Sequence, residues 1–179
     1  MTVSEAQRDI SRAYVGGGSG VLVSALVWFA AALVANNKGV ATAFAVLFLG
    51  GMLIFPVSVL IARLLFRREK EAPDNPLGRV ALESTIAMLG GLFAAWLFLP
   101  FEPNYVFPLA AIAVGTHYAV FKTIYGDPLF WLLGALITLV GVVSIYGLVP
   151  IPGGPILAVG AIELVFAVLL IMRAMPARS

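Results

Sequence analysis

The chain has 179 residues, is 61% hydrophobic and only 11% charged, and carries a formal net charge of +2. A soluble domain is about 25% charged and about 45–50% apolar, so this composition excludes an ordinary soluble domain and points to an integral membrane protein. The absence of cysteine excludes disulfides, thiolate metal sites and a cysteine nucleophile.

Residues 1–15 read as a short amphipathic helix lying on the membrane surface. Thr2 with Glu5, or Ser4 with Gln7, fits a capping box. Val3, Ala6, Ile10 and Ala13 fall near one face, and Glu5, Arg8, Asp9 and Arg12 lie elsewhere. The segment is too long and too acidic before the first apolar stretch to read as a signal peptide. Gly16-Gly17-Gly18-Ser19-Gly20 then interrupts the pattern.

Six apolar spans follow, over about 21–35, 40–66, 76–99, 106–124, 128–149 and 155–172. The first is short unless the glycine run adds a turn. Asn36-Asn37-Lys38-Gly39 is a turn. The second span contains Pro56, which removes a backbone hydrogen bond and predicts a kink or hinge. The only long polar loop, residues 67–74, leads to Asn75, a helix cap with Pro76 at the first helical position. Asp127-Pro128 opens the fifth span in the same way, and Pro155 opens the sixth.

Charge placement gives an orientation. With a cytoplasmic N-terminus, the inner segments hold ten basic residues: Arg8, Arg12, Arg63, Arg67, Arg68, Lys70, Arg79, Lys122, Arg173 and Arg178. The outer loops hold one, Lys38. That split follows the positive-inside rule, with both termini cytoplasmic and the cell's inner (plasma) membrane as the expected location. The sequence pI near 9.2 is thereby spent on topology. A nucleic-acid partner needs a basic stripe on a soluble face, and none exists. The expected fold is all-α, a single-domain bundle of six transmembrane helices.

Ionisable groups inside the spans are the candidate functional residues, because each costs about 2.5–3.5 kcal/mol at the centre of a bilayer. Glu83 shares a face with Ala87, Gly90 and Ala94 and is expected to point at protein, with Arg79 one turn earlier as a partner. His117 is the single histidine, adjoined by Thr116 and Tyr118, and is a candidate proton carrier. Glu163 lies near the centre of the last span with no basic residue within two turns. A neutral glutamate there hydrogen-bonds a carbonyl or hydroxyl, and a charged one binds a cation. At 1.5 Å per residue, Glu83, His117 and Glu163 lie about 7, 10 and 15 Å from the inner helix ends. They form a ladder that becomes a proton or cation path if the three helices adjoin.

Other features read as structure first. Gly134, Thr138 and Gly141 form a packing stripe in the fifth span. Lys122 reaches the inner interface and lipid headgroups, and Trp96, Tyr105, Tyr125 and Trp131 suit aromatic belts. No nucleophile elbow, phosphate-cradling loop or two-histidine zinc motif occurs, so enzyme chemistry has no positive support and no cofactor is implied.

Asn75-Pro76-Leu77-Gly78 and Gly115-Thr116-His117-Tyr118 resemble an uncharacterised family of small bacterial multi-pass membrane proteins. The resemblance implies a helical bundle and draws attention to His117, and the family has no activity to lend. The leading functional reading is a small transporter or channel-like protein using Glu83, His117 and Glu163, with Pro56 as a hinge. The alternatives are an assembly or binding subunit, as a homodimer or with another membrane protein, and a membrane-embedded lipid-modifying enzyme near Glu83 and Lys122.

Overall fold

A computed structural model describes residues 1–175, which form helices and the turns between them. Helix α1 spans Val3–Ala13 and opens on a capping box, with Glu5 N–H donating to the Thr2 hydroxyl and Thr2 N–H to the Glu5 carboxylate. Its Ala6, Ile10 and Ala13 are buried, and Ala6 and Ile10 pack with Leu77 and Ile124. Val3 is exposed. The apolar face expected to meet lipid is therefore largely spent on protein contact.

Polar contacts fix α1 in place. The Asp9 carboxylate accepts from Ala72 N–H at 2.8 Å and from the Asn75 amide at 3.0 Å, and pairs with Arg12 at 2.9 Å. Asn75 also donates to the Ala6 carbonyl and accepts from Leu77 N–H, which is the expected cap on the next helix. The hydrogen bonds from Asn75 and Ala72, followed by the Arg12 charge, hold the Asp9 carboxyl below its ordinary range. Burial pushes the nearby Glu71 carboxyl up, and the Asp9 charge adds to that effect.

The glycine run supplies the missing turn. Val15–Gly17 is a 3-10 turn with Gly16 at φ 60° and Gly17 at φ 79°, and the next helix starts at Gly18. Helix α2 then runs over Gly18–Leu64, broken at Gly39, whose φ of 80° and ψ of 173° are not helical. A straight helix would separate Val27 from Gly50 by about 35 Å. Instead a Cβ on Gly50 would lie 2.8 Å from Val27, so the chain folds back at Gly39 into two antiparallel arms. The rings of Tyr14 and Phe55, 6.0 Å apart, mark the same reversal. Pro56 sits in the second arm with helical backbone angles around it, so Gly39, and not Pro56, breaks this stretch.

Four further helices complete the chain: α3 Leu77–Leu97, α4 Val106–Tyr125, α5 Leu129–Tyr146 and α6 Gly154–Ala174. The Asp127 carboxylate accepts from Leu129 N–H at 2.9 Å and caps α5 as expected. That helix stops at Gly147, φ 60°, short of the expected Val149. By length and hydropathy, five helical stretches are able to cross a membrane, and Val15–Leu64 counts as one of them.

Helices α4 and α5 meet at a seam where glycines let the two backbones approach closely, with the Thr138 hydroxyl beside Gly115. A methyl group on Gly115 would lie 2.7 Å from the Gly134 carbonyl oxygen, and one on Gly134 would lie 3.0 Å from the Ala119 nitrogen. The core beside this seam is aromatic and aliphatic, with Trp28, Phe107, Phe130, Leu133, Ile137 and Val159 buried. Helix α2 packs on α6, and α3 packs on α4. One end of the bundle gathers α1, the 65–76 loop, the α4–α5 turn and the end of α6, tied by Gln7 to the Thr123 carbonyl, Arg68 to the Ala174 carbonyl and Arg173 to Asp127.

Backbone contact at the seam predicts a contrast between glycines. Gly134→Ala forces a methyl group into the α4 backbone and is expected to cost about 1–3 kcal/mol. Gly90 faces open space, so Gly90→Ala is expected to be neutral or to stabilise by about 0.5–1 kcal/mol through helix propensity. Thermal unfolding of the detergent-purified protein checks both, and a neutral Gly134→Ala contradicts the seam.

Candidate functional site

Helix α6 carries Glu163 into the centre of the bundle. Its side chain is 0% exposed, and among the described residues it is the one ionisable acid or base that is fully buried, alongside large side chains such as Trp28 and Phe130. Small neighbours make room: Gly160, one turn earlier, seats the Phe29 ring, and Ala167, one turn later, is buried against α2 near Gly18. From the first arm of α2, the Ser24 hydroxyl donates to Glu163 Oε1 at 3.0 Å. From α4, the Tyr118 hydroxyl borders the same carboxyl. The second oxygen, Oε2, is buried without a hydrogen-bond partner. No ion pair among the described residues includes Glu163.

A carboxyl in this setting has restricted chemistry. Ionised, it lacks a counter-charge and has one hydroxyl donor plus a neighbouring phenol, in surroundings of low dielectric. Protonated, it keeps the Ser24 bond and has a proton to pass to an acceptor. Its exchangeable quantity is therefore a proton, or a small cation if the site opens.

His117 belongs to a different pair. Its Nδ1 lies 2.8 Å from the Ser84 hydroxyl of α3, and its ring meets Phe121 edge-on at 4.5 Å. Neighbouring positions on α4 thus look in different directions, with Tyr118 facing α6 and His117 facing α3. Thr116 is exposed and spends its hydroxyl on its own helix, donating to the Ile112 and Ala113 carbonyls.

Glu83 corrects the sequence reading. It is exposed on the outer face of α3, and so are Arg79, Ala87, Gly90 and Ala94. The face of α3 that packs on the bundle carries Ser84, Leu92 and Ala95, with Gly91 against Ala113. A stripe of small residues marks close helix packing, and α3 has two such stripes. The sequence alone points to the wrong one. The ladder therefore loses its first rung inside the bundle. Lys122 stacks over the Trp131 ring at 4.9 Å. Tyr125 does not join an aromatic belt but stacks on Phe130 at 5.2 Å.

Two site residues escaped the sequence reading: Ser24 and Ser84. Both are single hydroxyls in apolar helices, a weak signal until a partner helix is known. Ser24→Ala removes the donor to Glu163 and is expected to destabilise the protein by about 1–3 kcal/mol. Adding Glu163→Leu, which removes the stranded acceptor as well, is expected to recover part of that loss. Thermal unfolding of the two variants checks the pair, and a neutral Ser24→Ala would contradict it.

No curated protein and no solved structure matches the chain. One family does match, over residues 3–173, and it is DUF7010, a family of unknown function. The chain belongs to that family.

Proposed function

We propose that this protein is a small proton-translocating membrane transporter in which Glu163, assisted by Ser24 and Tyr118, takes up and releases the proton. The observation that carries the reading is the Glu163 carboxyl, fully buried, with one oxygen held by Ser24 and the other unpartnered. A charged group kept inside a membrane bundle at such a cost ordinarily marks a path for ions or protons. The site offers one carboxyl and two hydroxyls. A hard cation takes about six to eight oxygen ligands, so a proton suits this centre better.

The topology we propose has six crossings, with both termini on the cytoplasmic side of a bacterial inner membrane. Two observations support it. The fold-back at Gly39 divides α2 into two arms. The end that gathers α1 also carries Arg8, Arg12, Arg63, Arg67, Arg68, Lys70, Arg79, Lys122 and Arg173, whereas Lys38 sits at the Gly39 reversal. Arg178, counted on the same side, lies outside the described residues.

A second reading, an assembly subunit, is favoured by one observation. Glu83 lies on the outer face of α3 beside Ala87 and Gly90, where Gly90 meets nothing within 4 Å. A second copy or another membrane subunit covering that face would give both residues a partner. Glu83 then belongs to assembly rather than to the proton path.

Proteoliposomes with an internal pH dye test the transport reading, with valinomycin and K⁺ clamping the potential. The protein is expected to dissipate an imposed pH gradient, Glu163→Gln to fall to the rate of empty liposomes, and Glu83→Gln to keep the wild-type rate. Flux that survives Glu163→Gln, or no flux from the wild type, overturns it.

A further inference from the structure

A cavity of about 310 Å³ opens at the α1 end of the bundle, lined among others by Ser11, Gly16, Tyr125, Asp127, Leu170 and Arg173. Its polar wall is the Asp127–Arg173 ion pair, 3.0 Å apart. Its relation to Glu163 is set by a common spacing. Gly17, just before α2, and Ser24 on α2, Tyr118 and Tyr125 on α4, and Glu163 and Leu170 on α6 are each seven residues apart. Seven helical residues are about two turns, or about 10 Å. The chain thus builds two levels. The inner level holds Ser24, Tyr118 and Glu163. The outer level, at the cavity, holds Tyr125 and Leu170, with Gly17 against Tyr125.

Phe130 of α5, with Phe121 of α4 packed edge-on against it at 5.7 Å, fills the gap between the levels. The Phe130 ring, fully buried, stacks on Tyr118 at 6.4 Å and 25° and on Tyr125 at 5.2 Å and 20°. Three near-parallel rings therefore run from the Glu163 carboxyl to the cavity wall. Gly17 permits this stack: its φ is +79°, and a Cβ there would lie 2.8 Å from the Phe130 ring and 2.9 Å from that of Tyr125. The plug is apolar apart from the Tyr125 hydroxyl, and its closed form leaves Glu163 no exposure.

We propose that this cavity is the aqueous access route to Glu163 from the α1 side, and that the Phe130–Tyr125 pair is the gate that closes it. The proposal rests on Glu163 as the exchanging group. Opening the gate requires the Phe130 ring to leave this stack and give up its contacts with Gly17 and Phe121, which joins the two levels. The ion pair at the mouth places one acidic and one basic group where water and protons arrive. The gate thus assigns a role to two features otherwise unexplained, the cavity and the ring column.

The cysteine-free chain makes the test clean. Ser24→Cys puts one thiol at the inner level and Ser11→Cys puts one at the cavity, and an impermeant methanethiosulfonate reagent is applied from each side of oriented vesicles. Ser11→Cys is expected to label quickly from the α1 side alone, and Ser24→Cys slowly. Phe130→Ala added to Ser24→Cys is expected to raise its labelling rate on the order of tenfold from the α1 side, equivalent to about 1.4 kcal/mol of gate closure. Should Phe130→Ala fail to fold, the smaller ring-free Phe130→Leu must raise the rate in the same direction. No acceleration with the folded Phe130 variant, acceleration from the opposite side, or an unlabelled Ser11→Cys overturns the proposal. Labelling reads access and not flux. A gate that opens in a protein without proton flux therefore sinks the transport reading and leaves the access route standing.

Discussion

The bundle is organised around one hydrogen bond, from the Ser24 hydroxyl to the Glu163 carboxyl. It joins α2 to α6 at a buried point of the protein, where a stranded carboxyl oxygen costs more than most apolar contacts return. Every nearby position adjusts to it. Gly160 lets the aromatic rings of α2 close over the approach, Ala167 keeps α6 near Gly18, and Tyr118 turns its hydroxyl inward from α4. A leucine at position 163 would pack there without any of these concessions. That the chain keeps a carboxyl is the physical basis for reading the site as functional.

The rest of the architecture supplies rigidity around that point. The seam of Gly115 and Gly134 brings two backbones into close contact, which fixes α4, and with it Tyr118, against α5, which carries Phe130. At the other end, α1 is held by Asp9, Asn75 and Gln7, and it forms one wall of the cavity through Ser11. The structure therefore combines a fixed α4–α5 unit with a cavity wall made from a short docked helix. His117 stands apart from this system. Its bond to Ser84 ties α3 to α4.

Much of this was legible in the sequence, and the failures have specific causes. The helix caps at Asn75 and Asp127 are local chemistry between residues two apart, so they appear as expected. The direction of an exposed or buried helix face is not local. Both faces of α3 carry small residues, and only the position of α4 decides that Ser84 faces inward and Glu83 outward. The same applies to α1, whose apolar face suits lipid or protein equally until Leu77 and Ile124 are seen to cover it. The turn expected at Asn36–Gly39 appears as the break at Gly39, whose φ of 80° most other residues avoid, whereas the kink expected at Pro56 leaves the backbone helical, because proline's fixed φ is compatible with a helix. The seven-residue spacing that aligns α2, α4 and α6 was present in the sequence throughout. It has meaning only once the three helices are known to meet.

The central claim is that Glu163 is a buried carboxyl that exchanges its proton with the aqueous phase. Infrared difference spectroscopy of the protein in lipid, recorded between acidic and alkaline buffer, reads it directly. The account predicts a carboxylic-acid carbonyl band that appears with acid, shifts in D₂O and is missing from Glu163→Gln. A spectrum with no such band, or one that Glu163→Gln leaves unchanged, would contradict it.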